Sequence, residues 1–348
     1  MPQEVIFGRR TFLQRLLALA CTLESAPYAR AAIIAPIQAS LATPGPGSSV
    51  SLIPELAVNI GADRAEGVAL RLQFVDGGGV AIREILNGNS QFGVFGATAA
   101  MKENLGAQRL VALASIEDLV PLSVVVRSDL RDSVRRIEDL RGRVIGIHSN
   151  SLATMTNGQQ FVILLLRQHG VAPEDARFIA AGQSWETQSS ALRSKLVDAV
   201  VSEEPISMRL EREGIAFPLF RSGQPDDPDA LPGSGFLRGA LITHRKFVDA
   251  QPQLVERVVR VMQRTLEWRA QHRPEEVASA LGIRGPEAQD VVAMLKRYPR
   301  QYSDDGKFSE SQIRRTDTFF RESAGNSAEA TRYRLDSMVI DRWAGRKP

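Results

Sequence analysis

The chain has 348 residues, 43% of them hydrophobic and 24% charged, enough for one large core or two modest ones; a disordered tail or a fibrous repeat is excluded. Its formal net charge is +3, and much of that surplus falls in residues 1–31, where Arg9, Arg10, Arg15 and Arg30 face only Glu4 and Glu24. The near-neutral remainder has no electrostatic footprint for nucleic acid, and one Cys with four scattered His gives no ligand spacing for zinc or an iron–sulfur cluster, so no metal or cofactor is expected.

The N-terminus reads as an address. Gly8-Arg9-Arg10-Thr11-Phe12-Leu13-Gln14 precedes the apolar run 16–23, and Ala29-Arg30-Ala31 places small residues around a cleavage point. The run is about eight residues long where a spanning helix needs roughly 20. It resembles a bacterial twin-arginine signal, with Gln14 in place of the usual Lys and Gly8 in place of the usual Ser or Thr. That resemblance implies export, removal of residues 1–31 and a periplasmic mature chain; an amphipathic first helix with a chance Arg pair is the alternative. Cys21, inside the run, reads as a small hydrophobe.

After the address, residues 32–39 read as a strand ended by the Gly- and Pro-punctuated loop 40–49. Leu52, Ile53, Leu56, Ala57 and Ile60 recur at helical spacing, and 69–75 alternates as a strand with Leu70, Leu72 and Phe74 on one face. Asp76-Gly77-Gly78-Gly79 leads into a helix over 80–86, and the strand 91–95 ends in Gly96-Ala97-Thr98-Ala99 at a helix start. A second set begins near Leu119, with strands at 122–127, 144–147, 177–180 and 199–201. Its helices are a long one from Ser149-Asn150-Ser151 to His169-Gly170, and two more at 186–196 and 205–214. Residues 223–235, rich in Pro, Asp and Gly, read as an exposed connection, 237–244 as one more strand, and the rest as helices with stripes such as Leu254, Val258, Val261, Met262 and Leu266. Strand and helix alternate, which predicts an α/β protein with two units and a helical tail. The first unit is 32–120 with 236–348 and the second 121–235, joined near 116–121 and 223–235.

Several short strings, in this order and spacing, resemble a known family. They are Asp76-Gly77-Gly78-Gly79 before a helix, Leu86-Asn87-Gly88 followed by Phe92-Gly93-Val94, and Asp139-Leu140-Arg141-Gly142-Arg143-Val144-Ile145-Gly146-Ile147. Val171-Ala172-Pro173-Glu174-Asp175 and Leu196-Val197-Asp198-Ala199 fit the same template. Over most of residues 32–270 the chain is similar to the solute-binding proteins of nitrate, sulfonate, taurine and thiamine-precursor (NMT1/THI5-like) ABC transporters. The likeness implies a type II periplasmic-binding-protein fold whose two lobes close on a small-molecule solute. It also implies an ABC permease and ATPase in the inner membrane as partners, with the protein itself a monomer and not an enzyme.

The loops point to the same kind of site. Four of them follow strand ends and open helices: Ser48-Ser49, the Gly78 loop, Gly96-Ala97-Thr98 and Ser149-Asn150-Ser151. Helix N-termini offer unpaired N–H groups, small residues let a ligand reach them, and in open α/β sheets ligands lie beyond the carboxyl ends of the strands. Trp185 is placed to cover a ligand, and Glu204 to accept from a ligand donor. His148, directly after Ile147, could reach the cleft but reads as a satisfied structural group, and Arg127 reads as a surface or hinge cation. Sulfonate, carboxylate, nitrate and neutral aromatic heterocycles all fit such loops. Two other functions stay open: a periplasmic ligand sensor working with a receptor, and an enzyme resembling the fungal pyrimidine-precursor synthases, whose iron site needs Cys residues that a chain from residue 32 on does not have.

Overall fold

The computed structural model describes residues 35–119, 121–148, 151–223, 231–325 and 327–348. The N-terminal address, Ser149, Asn150 and residues 224–230 of the connection lie outside them.

Ten strands form two five-stranded sheets. β1 (Ile37–Pro44), β2 (Val68–Val75), β3 (Phe92–Gly96), β4 (Leu110–Glu117) and β10 (Gly239–His244) lie in the order β2-β1-β3-β10-β4. β5 (Leu122–Arg127), β6 (Val144–Ile147), β7 (Arg177–Ala180), β8 (Ala199–Glu203) and β9 (Ala216–Arg221) lie in the order β7-β6-β8-β5-β9. β1 runs parallel to β2 and β3, and β6 to β7 and β8, whereas β10 and β5 are antiparallel to the neighbours that flank them. The chain thus completes four strands of one sheet, builds the other, and returns with β10. A short pair, β11 (Phe308–Ser309) and β12 (Arg346–Lys347), stands apart.

Alternation along each strand sorts side chains into cores on opposite faces. In the first lobe Leu41, Val111, Leu113 and Leu241 pack on one side and Ala42, Leu110, Ala112 and Ile242 on the other. In the second, Val124 and Val201 face one core, Val125 and Val200 the other. The helix Pro252–Gln271 lays Leu254, Val258, Val261, Met262 and Leu266 against the first sheet, as its stripe predicts. This is the expected two-lobe α/β fold of the type II periplasmic-binding class.

Several local expectations change. β1 extends to Pro44, into residues read as loop, because it is an inner strand bonded on both sides, with Leu41, Ala42 and Thr43 fully buried. Phe74 is 44% exposed, on β2, an edge strand of its sheet. β4 and β9 were not legible as strands. Every residue of β4 is buried, so no alternation marks it. The long helix after Ser151 is two, Ser151–Thr154 and Asn157–Gln168, separated at Met155, which takes a left-handed φ of 50°. At the end of the supposedly exposed connection, Leu231 packs into the second lobe's core.

Candidate functional site

The carboxyl ends of the parallel strands of both sheets converge on one cleft. Because β10 enters antiparallel, its first residue Gly239 pairs with Gly96 at the end of β3 and with Glu117 at the end of β4. Arg238 therefore stands level with both strand ends. Across the cleft, β8 ends at Glu203, paired with Leu122 at the start of β5.

These placements assemble a buried ionic cluster from both lobes. Arg238 Nη1 donates to Glu117 Oε2 at 2.5 Å, and its Nη2 donates to Glu203 Oε2. Gln301 Nε2 donates to the other oxygen of Glu117 at 3.1 Å, and Gln183 Nε2 to the other oxygen of Glu203 at 3.2 Å. Arg238 is 3% exposed and both carboxylates 0%, so every charge depends on these partners for what water no longer supplies. Arg238 Nε has no partner among the described residues. Two carboxylates around one guanidinium leave the cluster without a free positive charge.

His148, just past β6, lines the same place. Burial, with Arg238 nearby adding to it, pushes the imidazole pKa down to about 3, so the ring is neutral at ordinary pH. Its Nε2 is buried without a partner among the described residues. His148, Arg238, Asn157, Thr156, Gln183, Gly78 and Gly96 line a cavity of about 20 Å³, room for roughly one water molecule.

Further contacts tie the lobes together around this cavity. Thr98 Oγ1 donates to Asn157 Oδ1 at 3.1 Å, Gln160 Nε2 to the Thr98 carbonyl at 3.3 Å, and the Gln183 N–H to Asp76 Oδ1 at 3.3 Å. The Arg238 carbonyl accepts from the Ala97 N–H and from Asn157 Nδ2. A Cβ on Gly96 would overlap the Asn157 carboxamide, which is why this loop needs glycine.

A wider pocket of about 200 Å³ opens at the cleft mouth, between the 46–48 loop, Trp185 with Ile206 and Arg209 from the second lobe, and Leu281, Ile283, Glu287 and Asp290 from the helical tail. Arg209 lies over the Trp185 ring, 3.9 Å from its centroid. Glu55 also lines the pocket. Burial raises its pKa and Glu287 adds to the rise, while hydrogen bonds from Ser51 and the Gly47 N–H oppose it.

The sequence-selected residues separate into groups. Gly78 and Gly96 reach the small cavity, with Ala97 and Thr98 beside it; Ser48 and Trp185 line the wide pocket. Ser48 Oγ is engaged with the Pro44 carbonyl and Ser51, and the Ser49 carbonyl accepts from the buried Tyr302 hydroxyl at 2.7 Å. Ser151 opens its short helix. Both oxygens of Glu204 are engaged within the lobe, by Arg221 Nε at 3.2 Å and the Met208 N–H at 2.9 Å. Sequence reasoning missed Arg238, Glu117, Glu203, Gln183 and Asn157. A signal existed for three of them: a charged residue at the end of an otherwise apolar strand run. Arg127, expected as a surface or hinge cation, is instead largely buried within the second lobe and held by Asp198 at 3.1 Å. Among the described residues no group of acidic, His or Cys side chains is placed to hold a metal, and no helix is long and apolar enough to cross a membrane.

A family model described as "NMT1/THI5 like" matches residues 64–277. A search of curated proteins gives no match. Among solved structures, a protein from Bordetella bronchiseptica is similar at 20% identity and a TM-score of 0.77, over 88% of this chain and 95% of that one. The alkanesulfonate-binding protein SsuA from Xanthomonas axonopodis pv. citri, bound to MOPS, follows at 15% and 0.68, over 88% and 99%. The periplasmic nitrate-binding protein NrtA from Synechocystis stands at 10% and 0.67, over 87% and 86%.

Proposed function

Because the chain belongs to the NMT1/THI5-like family, we propose that it is the extracytoplasmic solute-binding component of an ABC importer, holding a small polar solute between its lobes. The observation that carries this reading is the Arg238 cluster. One guanidinium is shared by a carboxylate from each lobe, beside two buried nitrogens, Arg238 Nε and His148 Nε2, that have no partner among the described residues. The Arg238–Glu203 pair exists only where the lobes meet, so a solute that contacts both lobes binds the closed arrangement better than an open one, and that difference in affinity is what shifts a two-state equilibrium. The closed form then presents both lobes together to the membrane permease and its ATPase. Export by the Arg9-Arg10 address belongs to the same proposal, as do the lobe limits 32–120 with 236–348 and 121–235.

The solutes to try are the classes named for similar proteins, sulfonates and nitrate, together with carboxylates and aminopyrimidines. In a thermal-shift and calorimetry screen of the full chain, a true ligand at 100 times its Kd adds about 2.7 kcal/mol of stability and is recovered chemically unchanged. A bound compound returned as a different product would overturn capture in favour of catalysis. Absence of any stabilising solute from all four classes would remove the transport reading.

A further inference from the structure

We propose that the pocket at the cleft mouth takes the cationic end of the solute, an ammonium or amidinium nitrogen, and discriminates against sulfonate- and nitrate-type anions. The inference rests on the solute-capture reading and names its ligand class. Among the described residues Glu55, Glu186, Glu287 and Asp290 line the pocket against a single lining cation, Arg209. Asp290 is 6% exposed; one of its oxygens contacts Arg212, and the other, Oδ2, is buried with no partner among the described residues. An unpartnered buried carboxylate oxygen is a costly acceptor, and a ligand N–H donor relieves that cost. Glu287 holds its carboxylate against the 46–48 loop, 3.7 Å from where a Gly47 Cβ would stand.

The aromatic wall agrees with the charge. Arg209, also bonded to Glu213 at 3.1 Å, already places a guanidinium over the Trp185 ring, so the indole face accepts a planar nitrogen cation. Deeper in the cleft no free cation among the described residues offsets the acidic mouth: Arg238 is paired with two carboxylates and His148 is uncharged. An anion entering here meets an acidic mouth and, deeper, a guanidinium already paired with carboxylates. The cavity of about 200 Å³ suits a single aromatic ring with one polar substituent.

The test is a matched series of one-ring probes, benzamidinium and benzylammonium against benzenesulfonate and phenylacetate, titrated into the full chain by calorimetry with Trp fluorescence in parallel. The cations are expected to bind at least tenfold more tightly than the anions. Glu287→Gln, at an exposed position that the fold does not need, should weaken benzamidinium roughly fivefold, and Arg209→Gln, which removes the resident competitor, should strengthen it. Anions binding as well as cations, or cation affinity unmoved by Glu287→Gln, would overturn the assignment. If the cations fail while a sulfonate or nitrate stabilises the chain, solute capture stands and the cationic class falls. If no probe or solute of any class binds, capture fails with it.

Discussion

Arg238 and His148 show how much the cleft depends on single groups. Truncating Arg238 to Met leaves Glu117 and Glu203 buried without their cation, and breaking a buried pair in this way typically costs about 3–5 kcal/mol. Urea unfolding of Arg238→Met should show a loss of that size, and a loss under 1 kcal/mol would mean the cluster is wetter than its burial implies. His148 makes stability pH-dependent. The unfolded imidazole takes up its proton near pH 6.5, the folded one only near 3, so in that window acid favours the unfolded chain. The stability contributed by the neutral ring is complete above pH 6.5 and lost as pH falls toward 3, by up to ~5 kcal/mol. The buried carboxyls of Glu55, Asp118 and Glu204, whose pKa values are raised mainly by desolvation, act oppositely: they stabilise at low pH and lose that contribution as pH rises. Comparing the pH dependence of Tm for wild type and His148→Gln isolates the imidazole. Parallel curves from pH 7 to 4 would refute its assignment.

At the scale of elements, the helix Glu310–Ser323 does what no sequence pattern announced. Its stripe puts Phe319 into the second lobe's core, stacked on Phe236 at 3.8 Å between centroids, while Ile313 and Phe320 enter the first lobe's core. Gln160 and Arg167 of the second lobe also bond to Ser323 and to the Glu322 and Ser323 carbonyls. The helix is therefore a strap across both lobes. Phe319→Ala should cost about 3–5 kcal/mol, the range for emptying a buried aromatic site, although the residue lies far along the chain from the rest of that core. Equilibrium unfolding within 1 kcal/mol of wild type would show that the strap carries little. Amphipathic periodicity made the tail legible as helix; which lobe each face would meet depends on contacts between residues more than 80 apart in sequence, which periodicity does not encode.

For the whole molecule, the Arg238–Glu203, Thr98–Asn157 and Asp76–Gln183 contacts hold the lobes together in the arrangement described. Glu203→Gln removes one charge of the bridging pair while keeping the residue's shape, so the ligand-free protein should shift toward a larger radius of gyration in small-angle scattering, and a saturating solute should reverse the shift. An unchanged radius in the ligand-free variant would show that the ion pair does not govern closure. The sequence by itself determined the α/β class, the order of most strands and helices and the family, because hydrophobic periodicity, glycine punctuation and short ordered motifs are local properties of the chain. It also located Gly78, Gly96, Thr98 and Trp185 near the cleft, since strand ends followed by helix starts mark the rim of an open α/β sheet. Only the tertiary structure decided that Glu204 is engaged within its own lobe and that Arg238 stands between Glu117 and Glu203. The physical reason is that these charges are 121 and 35 residues apart and meet only because an antiparallel strand returns to the first sheet from the second lobe.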